Sequence, residues 1–276
     1  MPDDAFDTQL PTEIDTTIAH EARVYDYWLG GKENYPADRA LGDAIAEHVP
    51  TIKTMARANR AFLSRAVRHL VSDAGITQFL DIGTGIPTAG NTHEVAQQLD
   101  SNARVVYVDK DPIVLAHARA LMDSTPQGRT RFIHADLHDP RSILEHPDLT
   151  GTLDLSEPVA IMLVAIMMYF GDKDRPQDIV AELLAAVPSG SYLVITHPTA
   201  DFAPEAMAGV VGAAVASGIE FHPRSKSDTS DLFAGTTLVD PGLVPVASWR
   251  PDLTDRPVAV GEAESAWYWA GIGRKP

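Results

Sequence analysis

Two glycines and a carboxylate lie close together in the sequence and could form a ligand-binding turn. Asp81, Gly83 and Gly85 lie where the apolar run Gln78–Ile82 gives way to turn-forming residues. Glycine lets the chain turn sharply and lets its backbone approach a ligand, because no Cβ is in the way. A G-x-G alone is a weak signal, and an ordinary strand-to-helix turn is the alternative. Its position after a buried strand and before a helix favours a nucleoside site.

Two more carboxylates follow the next two apolar runs. Asp109 comes 24 residues after Gly85 and ends a strand-like segment, where it can accept both hydrogen bonds of a ribose diol. Asp136 follows the third run and can accept from an adenine amino group, while the amide of Leu137 meets a ring nitrogen. Asp109 could instead cap the next helix, but Asp111 is better placed for that role. The pattern therefore predicts a nucleoside-containing cofactor.

The residues after the glycines discriminate between two cofactors. A nicotinamide dinucleotide site prefers G-x-G-x-x-G, whereas this chain has Thr88 at the third position and Gly90 two residues later. The missing glycine matters because it would let a helix pack closely under a pyrophosphate. S-adenosylmethionine has no phosphate, and its amino-acid part can be held by the turn that contains Thr84. The sequence favours S-adenosylmethionine; an NAD-dependent oxidoreductase is a weaker alternative.

Methyl transfer gains most from alignment of the reactants, so a dedicated base is optional. His197, after the fifth predicted strand, is the first candidate base, and Tyr169, after the fourth, is the second. His197 could also be an uninvolved loop histidine. His134 and His138 lie near Asp136, but histidines and carboxylates are common at strand ends of such folds, so we predict no metal.

Aromatic residues crowd around a second glycine pair near the N-terminus. Tyr25, with Lys32 nearby, could close over a sulfonium, because aromatic faces attract cations. A helical cap with an ordinary aromatic core is the alternative. Arg60, one helix before the first strand, could pair with the carboxylate of the cofactor, or it could lie on a solvated helix face.

Short apolar runs alternate with helical patterns, which predicts a doubly wound, mostly parallel α/β sheet. Residues 1–17 are expected to be a loose lead-in, 18–75 a helical cap and first helix, and 76–276 the cofactor-binding domain. Predicted helices cover about 22–29, 39–48, 54–75, 92–99, 112–122 and 179–187. Predicted strands are Gln78–Ile82, Arg104–Asp109, Arg131–His134, Val159–Val164, Ser191–Thr196, and the pair Val244–Trp249 and Ser265–Ile272. That last pair should form an antiparallel hairpin at the edge of a seven-stranded sheet.

Composition narrows the class of partner. The 276 residues carry a formal net charge of -16, which should repel a polyanion, so a nucleic-acid substrate is disfavoured and a small molecule is expected. The absence of cysteine excludes disulfides and thiolate sites. The acidic N-terminus lacks the order of a secretory signal, and no apolar run is long enough to span a bilayer, so we expect a cytoplasmic protein without membrane contact. The oligomeric state stays open.

The motifs together resemble a known family. The core pattern looks like a class I methyltransferase, and the segment Ala22–Tyr35 is similar to the opening signature of an actinobacterial group of S-adenosylmethionine-dependent methyltransferases whose substrates are unknown, a domain-of-unknown-function family. Further similar segments are Ala56–Leu63, Asp81–Gln97, Val106–Pro112 and Asp240–Val244.

The resemblance implies the fold, the methyl donor and the location of its site at the glycine turn, Asp109 and Asp136. Lys110, beside Asp109, joins the candidate cofactor-binding residues. The resemblance also implies a histidine near position 168, where this chain has Met168; a non-catalytic regulator that binds S-adenosylmethionine is therefore a second hypothesis. Residues 200–234 are expected to shape the pocket for the methyl acceptor.

Overall fold

The computed structural model describes residues 15–87, 90–114, 124–251 and 265–276. Its eight strands form one mixed sheet in the order β3-β2-β1-β4-β5-β8-β6, and β7 pairs with β8 beside this path. The strands are β1 Gln78–Ile82, β2 Arg104–Asp109, β3 Arg129–His134, β4 Ala160–Val164, β5 Tyr192–Pro198, β6 Thr237–Leu238, β7 Val244–Pro245 and β8 Tyr268–Arg274.

Nine α-helices lie in the described ranges. They are α1 Glu21–Leu29, α2 Pro36–His48, α3 Ile52–Ser72, α4 Thr92–Leu99, α5 Pro140–Leu144, α6 Pro147–Thr150, α7 Pro176–Ala185, α8 Pro204–Ala216 and α9 Lys226–Asp231. Five of them carry a proline in the first turn, where the missing N–H is not needed. Asp139 caps α5 by accepting from the Ser142 amide.

The centre of the sheet determines where a ligand can bind. β1 is buried along its whole length and pairs in parallel with β2 on one side and β4 on the other. The chain leaves β1 toward β2 and reaches β4 only later, so the strand order reverses at this point. Open α/β sheets bind ligands beyond the carboxyl ends of the strands at such a switch point.

The predicted fold class is confirmed, but the C-terminal strands differ from the prediction. The sheet has eight strands instead of seven, because Thr237–Leu238 adds a short edge strand. β8 lies between β5 and β6 rather than at the edge. The predicted strand Val244–Trp249 forms a strand only at Val244–Pro245; a 3-10 helix, Val246–Ser248, follows. Arg65 holds this turn by donating to two of its carbonyls, and the Trp249 side chain is buried there.

Two predictions lie largely outside the described residues: the lead-in before residue 15 and the helix from Pro112 beyond residue 114. Within the described ranges, no helix combines the length and the apolar character that crossing a membrane requires. The location expected from the sequence stays a prediction.

Buried ionic contacts organise the N-terminal cap. Asp38 is fully buried, and its carboxylate lies 2.9 Å from Nε of Arg23. The same carboxylate accepts from the amides of His20 and Tyr35 at 2.9 and 2.8 Å. One side chain therefore joins the start of α1 to the start of α2.

We expect Asp38→Ala to lower the free energy of unfolding by roughly 3–5 kcal/mol, because it leaves the buried Arg23 guanidinium without its counter-charge. Urea denaturation followed by circular dichroism measures this loss. Glu47→Ala is the matched control, since Glu47 lies on the same helix and is exposed; we expect it to change stability by less than about 0.5 kcal/mol. Equal effects of the two variants would contradict the assigned role of Asp38.

Candidate active site

The glycine turn after β1 forms the floor of a cleft. Gly83 and Gly85 have φ angles of 75° and 65°, in the left-handed region that glycine adopts without strain. A Cβ at Gly83 would lie 2.6 Å from the Ile166 side chain, whereas a Cβ at Gly85 would meet no atom within 4 Å. Gly83 is therefore required for packing, and Gly85 leaves open space where a ligand can approach.

The carboxylate of Asp109 is fixed against this turn. One oxygen accepts from the Gly85 amide at 2.8 Å, and the other accepts from the Asp111 amide at 2.9 Å. Burial raises the pKa of Asp109, while the two amides favour its ionised form. Each oxygen keeps a lone pair for a further donor, so the group can receive a diol.

Asp81 lies deeper in the cleft and is buried. Its carboxylate accepts from the Thr92 hydroxyl at 2.6 Å, at the start of α4. Burial is the main cause that raises the pKa of Asp81 to about 6, with the nearby Asp109 charge adding to it and Thr92 and Arg60 opposing it. Arg60 projects from α3 and donates to the Gly90 carbonyl at 3.1 Å.

The opposite end of the cleft lies after β3. Asp136 accepts from both the amide and the ring of His138, at 2.9 and 2.7 Å, and these bonds lower the pKa of Asp136 against its desolvation. The His138 ring lies 4.4 Å from the ring of Phe170, which follows β4, and the two planes are tilted by 31°. This end of the cleft therefore combines a carboxylate with aromatic rings.

The helix α1 forms the roof. Glu21 pairs with Lys110 at 3.1 Å, and His20 lies 3.2 Å from Asp111. Both contacts join α1 to the loop that follows β2. The cleft beneath α1 has an empty volume of about 1120 Å³, with its mouth included.

The cleft brings together all of the predicted cofactor-binding residues except Lys32. Its lining includes Tyr25, Arg60, Asp81, Gly83, Thr84, Gly85, Asp109, Lys110, Asp136 and Leu137. Lys32 is exposed in the loop after α1 and does not line the cleft. That loop is organised by Asp26, which accepts from the Glu33 amide and from Asn34 at 2.9 Å each.

Comparison with known proteins identifies the family to which the chain belongs. The family model described as S-adenosyl methyltransferase matches residues 7–276. The chain belongs to the S-adenosyl methyltransferase family. S-adenosylmethionine is therefore its cofactor, and the predicted enzyme class is confirmed. None of the curated proteins compared with the chain matches it.

Solved structures agree with this family. A DUF574 family protein from Streptomyces avermitilis is 45% identical, with a TM-score of 0.90 over 96% of this chain and 100% of that chain. A candidate methyltransferase from Thermobifida fusca is 41% identical, with a TM-score of 0.87 over 97% and 99% of the two chains. At 11% identity, the magnesium protoporphyrin IX methyltransferase from Synechocystis shares the fold, with a TM-score of 0.52 over 91% of each chain.

The residues of this S-adenosyl methyltransferase fit its cofactor. S-adenosylmethionine carries positive charges on its sulfur and its amino group, and the lining of the cleft includes five carboxylates, Glu21, Asp26, Asp81, Asp109 and Asp136. Oδ1 of Asn59, which also lines the cleft, is a buried acceptor without a partner in the described part of the chain. The open space at Gly85 leaves room for the ligand.

Tyr169 reaches the cleft, in a short 3-10 helix after β4. Burial raises the pKa of Tyr169 well above that of an ordinary phenol. The group is therefore a neutral hydroxyl, which can donate a hydrogen bond but is poorly suited to act as an ionised base.

His197 does not reach the cleft. Its side chain is fully buried, with Nδ1 2.9 Å from the Pro198 carbonyl and Nε2 2.9 Å from Nη1 of Arg224. Burial lowers the pKa of His197 to about 4, so the ring is neutral and accepts from Arg224. Arg224 also donates to the carbonyls of Met167 and Phe170, and His197 thereby supports the segment that carries Tyr169.

Several residues that line the cleft are not among the site residues predicted from the sequence. His20, Glu21, Asn59 and Phe170 meet at the cleft only because α1, α3 and the segment after β4 pack together. Ala165 has a φ of 56°, an unusual backbone conformation at a cleft wall. Asn59 lies within the segment Ala56–Leu63 that resembles the family, whereas no motif in the sequence marks His20, Glu21 or Phe170. In the described ranges, no cluster of three or more metal-ligating side chains was found.

We expect Asp109→Ala to weaken S-adenosylhomocysteine binding by roughly 1.5–3 kcal/mol, the range for hydrogen bonds to a charged group. Titration calorimetry measures the change. Glu182→Ala, an exposed carboxylate on α7, should leave the affinity unaltered. An unaltered affinity in Asp109→Ala would move the ribose site elsewhere.

Proposed function

We propose that the protein transfers a methyl group from S-adenosylmethionine to a small-molecule acceptor by direct displacement. The observation that carries the proposal is the convergence of the glycine turn, Asp109 and Asp136 in one cleft at the switch point of the sheet. The roof that α1 forms over this cleft, joined to the loop after β2, supports a small acceptor.

Each end of the cleft suits one part of the cofactor. The Asp109 carboxylate, held by two backbone amides, would accept from the ribose hydroxyls. The carboxylate of Asp136 and the amide of Leu137 would meet the adenine, with Phe170 beside its ring. These roles follow from the hydrogen-bonding capacity of the groups.

The amino-acid part would lie at the deep end. Asp81, when ionised, would attract the ammonium group of the cofactor, and Arg60 would attract its carboxylate. Both side chains line this end of the cleft. The polar part of the cofactor would thus be held by charges of opposite sign.

S-adenosylmethionine supplies an electrophilic methyl group, and the bonding electron pair stays on its sulfur when that group leaves. The side chains of this protein align the reactants and exclude water, which is the main requirement for such a displacement. Tyr25 lines the cleft beside the glycine turn, where its ring can face a cation. Tyr169 would act as a neutral hydrogen-bond donor that orients the acceptor.

The first experiment is titration calorimetry with S-adenosylmethionine, S-adenosylhomocysteine and NAD, followed by mass spectrometry of a metabolite library incubated with the protein and S-adenosylmethionine. We expect the two sulfur compounds to bind, NAD not to bind, and one acceptor class to gain the mass of a methylene group. Binding without methylation of any compound would favour the regulator. NAD binding without S-adenosylmethionine binding would contradict the proposal.

A pH titration tests the role of Asp81. Because the pKa of Asp81 is raised to about 6, the carboxylate is protonated below this pH and ionised above it. We expect S-adenosylhomocysteine affinity to rise with pH through about 6 and to be about tenfold lower at about pH 5 than on the plateau. Calorimetry at a series of pH values measures this profile.

Asp81→Asn is the control for this titration. The variant should bind weakly at every pH and should lose the rise near pH 6. A wild-type profile that stays flat across this range, or an Asp81→Asn profile with the full rise, would contradict the assignment.

A further inference from the structure

A second cavity adjoins the cofactor cleft beneath the N-terminal cap. It lies among α1, α2, the start of α3 and α8, and it has an empty volume of about 630 Å³ with its mouth included. Glu21, Tyr25 and Tyr169 line both cavities. A molecule in the second cavity would therefore lie next to the cofactor, with these three side chains at the border between the two sites.

The far part of this cavity is apolar. Its walls include aliphatic side chains from α2 and α8, such as Leu41, Ile45 and Val210, all buried. Three methionines, Met55, Met168 and Met207, also line it. Methionine is flexible and polarizable, so such a wall adapts to the shape of an apolar guest.

Charged and polar side chains line the end next to the cofactor, and Trp28 and Tyr268 also contribute to the wall of the cavity. Glu21 is the one charged side chain among the described residues that line this cavity, and no lysine or arginine is among them. The hydroxyl of Tyr25 donates to the Ala56 carbonyl and accepts from Asn59. Tyr169 makes no hydrogen bond through its hydroxyl to the described residues, so that group is available to a guest.

We infer that this cavity binds the methyl acceptor, and that the acceptor is a compact, apolar and uncharged molecule with one O–H or N–H group directed at Glu21. The inference rests on the proposed methyl transfer. An anionic acceptor is disfavoured because its charge would meet the Glu21 carboxylate without a cation in the cavity to offset it.

Glu21 has a definite chemical task in this arrangement. Its carboxylate accepts a hydrogen bond from the acceptor and so orients the O–H or N–H group, which releases its proton when its heteroatom gains the methyl group. The proton then passes to water. The ion pair with Lys110 holds the carboxylate at the border between the two cavities, so Glu21 is a specificity-determining residue.

The test uses three single-ring probes that differ in one group: para-ethylphenol, ethylbenzene and para-ethylbenzoate. Each is titrated into the protein saturated with S-adenosylhomocysteine, with carbon-13 labels in the methionine methyl groups. We expect para-ethylphenol to shift the signals of Met55, Met168 and Met207, but not that of Met162, which is buried in β4. Ethylbenzene should bind more weakly, and para-ethylbenzoate should bind least.

Ala214→Phe fills the cavity from α8 and should weaken para-ethylphenol binding by about tenfold or more, as steric changes in apolar pockets do. Val215→Phe adds the same side chain on the solvent face of this helix, where residue 215 is 61% exposed, and should not affect probe binding. S-adenosylhomocysteine affinity should be the same in both variants. Ala214→Leu replaces the phenylalanine variant if that chain does not fold.

Glu21→Gln keeps the shape of the side chain and removes its charge. It should reduce the preference for para-ethylphenol over ethylbenzene and allow para-ethylbenzoate to bind. Absence of methionine shifts with every probe, while S-adenosylhomocysteine still binds, would overturn this inference and leave the proposed function standing. Preferential binding of para-ethylbenzoate would overturn it as well. Failure to bind S-adenosylhomocysteine would overturn the proposed function itself.

Discussion

The cofactor cleft depends on the hydrogen bond between the Gly85 amide and the Asp109 carboxylate, 2.8 Å long. This bond ties the turn after β1 to the end of β2, so the floor of the cleft and the carboxylate at its wall have one fixed geometry. It can form because β1 and β2 are adjacent and parallel, in a register that ends both strands at the same edge. A different register would separate the glycines from the acid.

The roof over this floor packs on the core through buried apolar residues of the cap, and polar contacts join it to the loop after β2. Glu21 and His20 reach the loop after β2, and Asp38 joins the two cap helices from within. The chain has a net charge of -16, and three of its acidic residues, Glu21, Asp38 and Asp111, link elements of the cap and the loop after β2 through these contacts. The placement of basic and amide donors beside these acids is what makes their burial tolerable.

Much of the fold and half of the site follow from the sequence, for identifiable reasons. β1, β2 and β4 are mainly apolar, and residues at the carboxyl end of a parallel strand lie at the ligand edge of the sheet. The positions of Asp109 at the end of β2 and Asp136 just after β3 could therefore be predicted from the sequence. His197 also lies at the carboxyl end of a parallel strand, but its side chain is buried in the interior, where it contacts Arg224 from a segment distant in the sequence. Lys32 differs for a local reason: the turn built around Asp26 directs it to solvent.

The second cavity could not be found from the sequence, because its walls come from segments more than a hundred residues apart. Met55 and Met207 have no common motif, and each is typical of an ordinary core position. The C-terminal strands were difficult for a related reason. Thr237–Leu238 and Val244–Pro245 are strands because they pair with β8. Two residues are too few to show the alternation of apolar and polar residues that predicts a strand.

Shared walls have a thermodynamic consequence. Because Glu21, Tyr25 and Tyr169 border both cavities, a ligand that shifts them in one cavity changes the free energy of binding in the other. Such coupling is reciprocal: the factor by which the first ligand alters the affinity of the second equals the factor in the opposite direction. The binding of the cofactor and the binding of a ligand in the second cavity are thus coupled through side chains of the cap and of the segment after β4.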